Sequence, residues 1–161
     1  MDILDEGIVK KPELTKEEQL EARLLKIDIK QSFQKLKYGR TALFVIGVLF
    51  ILGIILGLIQ DKVDGIFVVI EGTIYSVLVF VAAVYLPKKP KLAMLGGTGV
   101  YFFNLLIATL LNPSSLISGI IFKGILIYFL LSGIVAAFTY QDAGEKLKKL
   151  GEEIPVESRF I

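Results

Sequence analysis

The chain has 161 residues, a net charge of +2, 54% hydrophobic residues and a mean hydropathy of +0.69, with neither Cys nor His. Four apolar blocks of membrane length leave no room for a second globular domain. The small net charge, with basic residues gathered at the block edges, argues against nucleic acid as a partner. Lacking thiols and imidazoles, the chain has no disulfide, thiolate nucleophile, imidazole base or usual zinc or haem ligand, so neither metal nor cofactor is expected.

Residues 1–14 are expected to form a flexible N-terminus. Their charge, and the late start of the first apolar run, do not suit a signal peptide, so that run is expected to remain as an anchor. Thr15-Lys16-Glu17-Glu18 reads as a capping box, with Thr15 as N-cap and Glu18 at N3. It opens a cytoplasmic amphipathic helix over residues 15–39, with Gly39 as a hinge before the first span. Acidic Glu17, Glu18 and Glu21 precede basic Lys26, Lys30, Lys35 and Lys37, an order that suits the helix dipole and anionic headgroups.

That helix carries two apolar stripes. Ala22, Leu25, Ile29, Phe33 and Leu36 form one, and Leu20, Leu24 and Ile27 lie on nearly the opposite side. Two stripes are more than a helix lying on a bilayer needs. Leu25, Ile29, Phe33 and Leu36 are expected to bind a partner: a second copy through a short coiled-coil seam, or a different subunit. The competing expectation folds one stripe onto the short middle loop and C-terminal helix of the same chain.

Residues 40–139 are expected to be the transmembrane domain, with spans at 41–59, 66–86, 92–111 and 116–138. Runs of about 19–23 residues cross a ~30 Å hydrocarbon core at ~1.5 Å per residue. The expected fold class is all-α, a four-helix up-down antiparallel membrane bundle preceded by the amphipathic helix. Lys35, Lys37 and Arg40, then Lys88, Lys89 and Lys91, then Lys146, Lys148 and Lys149 alternate with two loops poor in basic residues. The positive-inside rule places both termini and the middle loop in the cytoplasm, by default that of a bacterial inner membrane. The outer loops are too short for an ectodomain.

Within the spans, Glu71, Asn104 and Lys123 fall at similar depth, ~9–12 Å from the outer ends by helix rise. Intramembrane charge is costly and normally faces protein or water. The economical arrangement pairs Glu71 with Lys123 and lets Asn104 bond one of them, with Tyr75 and Tyr101 one turn away on the same faces. Gly53 and Gly57 form a small-xxx-small step for close helix approach, and Gly97 and Gly119 are read as packing positions. Residues 140–161 are expected to extend the last helix to a stop at Gly151 and then run as a tail.

No nucleophile–base pair, metal cluster or paired intramembrane carboxylates suggest an enzyme. The leading expectation is a non-enzymatic assembly or anchoring subunit that forms a homo-oligomer or holds a cytoplasmic protein through residues 15–38. The alternative is a small oligomeric channel or proton-coupled transporter using the Glu/Asn/Lys layer.

Overall fold

The computed structural model describes residues 14–59, 65–117 and 119–160. The expectation for residues 1–14 falls outside these, apart from Leu14, as does most of the first outer loop. Every long element is helical, and no strand occurs among the described residues. Helix α1 spans Lys16–Ile59, α2 Gly65–Tyr85, α3 Pro90–Leu111, α4 Ser114–Ile117 and α5 Ile120–Lys149, followed by a 3-10 turn at Val156–Ser158.

The capping box forms as the sequence implies. Thr15 N and Oγ1 donate to the Glu18 carboxylate at 2.8 and 2.9 Å, and Glu18 N donates to Thr15 Oγ1 at 3.3 Å. From there α1 runs 44 residues without interruption, a rod of about 66 Å at 1.5 Å per residue. The expected hinge at Gly39 is therefore corrected, because Gly39 is an ordinary helical position at a close crossing. A Cβ added there would lie 3.1 Å from Gly133 Cα of α5, and one on Gly133 would lie 3.2 Å from Gly39 Cα. Glycine on both sides lets the two backbones touch, and the Met94 side chain of α3 fills the space beside them.

Pro90 opens α3 in the first turn, where its missing N–H costs nothing. The fourth expected span, 116–138, is interrupted. Gly119 has φ 67°, in the left-handed region, and α5 starts immediately after it. Only glycine adopts this conformation without penalty. Among the described residues a Cβ on Gly119 would meet nothing within 4 Å, so the expected packing role is replaced by a conformational one. At the other end α5 stops where expected. Gly151, with φ 73°, donates to Lys148 O at 3.0 Å, and Glu152 N donates to Leu147 O at 3.1 Å, a Schellman cap.

Helix α1 packs along both α2 and α5, α3 packs against the same two, and α2 and α5 make little mutual contact at opposite corners. The α1–α2 seam is fixed by Gly47 against the Phe80 ring, by Gly72 against Ile54, and by Ser76 Oγ donating to Gly47 O at 3.2 Å. Gly97 lies against Leu43 and Ala82. Leu36, Leu43, Ile46, Val79, Leu86, Met94 and Leu130 form the central core.

The core is uneven along the bundle. The end carrying Lys16 and Lys149 is termed basal and the end carrying Ile59, Leu111 and Ile120 distal. Buried residues extend distally as far as Gly47 on α1, Ser76 on α2, Tyr101 on α3 and Leu126 on α5; beyond these levels none of the residues whose burial is described is fully buried. Three of the described helices, α1, α3 and α5, are long and apolar enough to cross a membrane, and α2 adds a shorter apolar stretch, Val69–Tyr85.

Candidate functional surfaces

The distal polar residues are arranged differently from the expected layer. Glu71 lies exposed on α2, on a stripe with Ile74, Leu78, Val81 and Tyr85 that faces away from the core. Tyr75 follows one turn along the same helix. No ion pair joins Glu71 to Lys123 among the described residues. The physical reason is the packing order: α2 and α5 occupy opposite corners, so matched depth does not bring the two groups together. The left-handed Gly119 also moves Lys123 into the first turn of α5, where its N–H bonds Gly119 O at 3.0 Å. Asn104 and Lys123 are both half-buried, on the adjacent helices α3 and α5.

Tyr101 is buried in the central core, proximal to Asn104, and Tyr75 packs at 5.7 Å from the Phe50 ring of α1. Among the described residues nothing lies within 4 Å of where a Gly53 Cβ would be, so Gly53 makes no close approach to them, and Gly57 is half-buried. Two core hydroxyls escaped the sequence reading. Ser76 ties α2 to α1, and Thr98 Oγ1 is buried with no partner among the described residues. Nothing in an apolar run distinguishes such a hydroxyl from a lipid-facing one until the neighbouring helix is known.

The basal end is the better-built part. The stripe expected to bind a partner is consumed internally. Ala22, Leu25 and Ile29 pack against Ala143 and Leu147 of α5 in a second core, and Leu36 joins the central one. Phe33 stacks with Tyr140 at 6.1 Å and meets Phe160 edge-on at 4.7 Å. Leu25, Ile29, Phe33 and Leu36 are thus corrected from a partner surface to an intrachain seam. The reason is that α5 extends basally as far as α1 does and offers small and apolar residues at matching heights.

The tail straps this seam. Tyr140 donates to Ser158 O at 2.8 Å, Lys26 pairs with Glu152 at 3.0 Å, and Lys30 pairs with Glu157 at 3.6 Å. Exposed pairs of this kind stabilise by about 0–1 kcal/mol each, so Phe160 and the tyrosine bond are the stronger fasteners. Arg40 sits where strap and bundle meet. Its Nε donates to Ala83 O at 3.1 Å near the C-terminus of α2, and its guanidinium lies 5.7 Å from the Phe44 ring and 5.9 Å from the Phe160 ring.

The second stripe stays open. Leu20, Leu24 and Ile27 are 62%, 56% and 52% exposed on the surface of α1 away from α5. A cleft of about 820 Å³ lies nearby, between the start of α1 and the end of α5, lined by Glu18, Arg23, Lys26, Lys149 and Glu152 among others. Its mixed charges partly neutralise one another, and no group of three or more potential metal ligands occurs among the described residues. Comparison with known proteins yields no matching family model, no matching curated protein and no matching solved structure.

Proposed function

We propose that this chain is a non-enzymatic membrane anchor that presents a rigid helical arm at the cytoplasmic face as a platform for assembly. In this reading α1, α2, α3 and α5 cross the bilayer in up-down order. The alternation of basic and base-poor loops puts the basal end, with both termini and the middle loop, in the cytoplasm. Close contacts of α1 residues 40, 47 and 54 with α2 residues 83, 76 and 72 in turn support the antiparallel order. The observation that carries the reading is the fusion of arm and span. The 44-residue α1 has no break at the expected membrane edge, and a continuous apolar seam with α5 fastens it on both sides of that edge. A helix built only to float on a surface needs no such clamp.

The test is site-specific photocrosslinking of the full chain in native membranes, with the crosslinker at Leu20 or at Lys148 on α5. Adducts from Leu20, to any protein including a second copy, fit the platform. Monomeric protein with no adduct at Leu20 overturns it.

One observation favours a second reading, an oligomeric channel or proton-coupled transporter. Glu71 stands on an outward apolar stripe, where a carboxylate facing hydrocarbon costs several kcal/mol and a neighbouring copy or a water path would relieve it. Under this reading Glu71→Gln changes ion or proton flux into proteoliposomes by at least about tenfold. Under the platform reading flux stays at the level of empty vesicles in both forms.

A further inference from the structure

The open stripe of α1 follows a heptad. Leu20, Leu24, Ile27, Gln31, Gln34 and Tyr38 succeed one another at spacings of four, three, four, three and four, the a/d rhythm of a coiled-coil seam, and all six are exposed. With Leu24 and Gln31 at a, and Leu20 and Ile27 at d, the flanking positions separate by charge. The g positions are Lys16, Arg23, Lys30 and Lys37, all basic. The e positions are Glu21, Asp28 and Lys35, acidic over the part where the seam is apolar.

This separation selects both a partner and an orientation. In a parallel pair of helices each g residue faces the e residue five positions later on the other helix. Two copies of this chain would then set Lys16 against Glu21 and Arg23 against Asp28, each contact occurring twice about the two-fold axis. In an antiparallel pair g faces g and e faces e, which opposes base to base and acid to acid. Parallel pairing is also the only one open to two copies inserted the same way in one membrane. The third contact, Lys30 against Lys35, is unfavourable, and it falls where Gln31 and Gln34 have already replaced the apolar seam. Lys30 is moreover paired with Glu157 of its own tail at 3.6 Å. The seam therefore ends at about Gln31, short of the membrane edge.

We propose that the arms of two copies associate through this stripe as a parallel, two-fold coiled coil centred on Leu24 and Ile27. The proposal rests on the platform reading above and names its first partner as a second copy of the chain. It also explains why the helix carries two apolar faces: one holds α5, and the other holds its twin. The apolar part of the seam is only about two turns long, so the spans, by confining both copies to one plane in one orientation, supply the effective concentration that two isolated helices would lack.

The absence of native cysteine makes the test direct. Leu24→Cys, Ile27→Cys and Gln19→Cys are introduced singly into the full chain, which is reconstituted in vesicles and exposed to a mild oxidant. In a two-fold parallel seam residues 24 and 27 each meet their own counterpart within disulfide reach, while residue 19 points about 100° away by helix geometry. The expected result is a covalent dimer from the first two variants and monomer from the third. In the Leu24→Cys background, Arg23→Asp or Asp28→Arg alone weakens dimer formation roughly tenfold, because each turns two attractions into repulsions. Together they restore it. These side chains lie outside both cores, so the helical content stays at the parental level. Absence of dimer at both 24 and 27, equal crosslinking at 19, or failure of the double reversal to restore pairing overturns the proposal. If photocrosslinking at Leu20 captures a different protein while no disulfide dimer forms, the twofold seam is refuted and the platform reading survives.

Discussion

Replacing Gly133 and Gly53 by alanine, one at a time, separates close packing from helix propensity. Both glycines lie within helices, so both substitutions gain the same intrinsic preference of alanine over glycine, up to about 1 kcal/mol. Their surroundings differ. At Gly53 the new methyl enters open space among the described residues, whereas at Gly133 it would run into Met94 Cε and stand 3.2 Å from the Gly39 backbone. Methyl groups pack at about 3.5–4 Å, so Met94 must move by more than an ångström or the α1–α5 crossing must widen. Met94 is fully buried with little room to turn, and overpacking of this kind costs about 1–3 kcal/mol. Gly53→Ala is therefore neutral or stabilising by up to ~1 kcal/mol, and Gly133→Ala falls below it by about 1–3 kcal/mol, the common propensity term cancelling. The assay is reversible SDS-induced unfolding in mixed micelles, followed by far-UV circular dichroism. Met94→Leu, which removes the offending Cε, recovers most of the Gly133→Ala loss when the two are combined. Equal stability of the two alanine variants would refute the crossing.

Two further outcomes follow from the basal end. Phe160→Ala removes the ring lodged against Phe33, Tyr140 and Arg40; because that ring is half-buried, the loss is about half that of a core phenylalanine, roughly 2 kcal/mol. Amide exchange then quickens in residues 152–160 and is unchanged in the spans; faster exchange throughout would show that the tail is integral to the bundle. Glu18 is held below its ordinary value of 4.5 by the backbone N–H and then the hydroxyl of Thr15. A lowered folded-state pKa gives stability that is present above the unfolded value and lost as pH falls through the folded one. Amides of the first turn of α1 therefore keep full protection at neutral pH and lose it below about pH 4.5, and Glu18→Gln removes that step. A pH-independent first turn in the parent chain would contradict the capping box.

The features legible in the sequence are those that depend on one stretch of chain. Run length and composition announce the apolar helices, Thr15 and Glu18 announce the start of α1, and Gly151 announces the end of α5. What stayed hidden depends on two stretches. Gly39 reads equally as a hinge or a crossing, and the deciding residue, Gly133, lies almost a hundred positions away. Either stripe of α1 could face the chain's own α5; only the packing of Ala143 and Leu147 on Ala22, Leu25 and Ile29 decides between them. The polar layer failed for the same reason, since depth along a helix says nothing about which corner of the bundle that helix occupies. Ser118-Gly119 did offer a local turn signal, but it was submerged in an apolar run.

An unbroken α1, fastened to α5 on both sides of the Gly39–Gly133 contact, forms one stiff lever with it. The arm from Lys16 to Gly39 is about 35 Å long, so a 10° tilt of the distal half swings its tip by about 6 Å. On the proposed membrane reading, with no joint to absorb the rotation, changes in bilayer thickness or tension that lean the distal half are delivered as displacement at the far tip, and a load on the tip is returned to the lipid as torque.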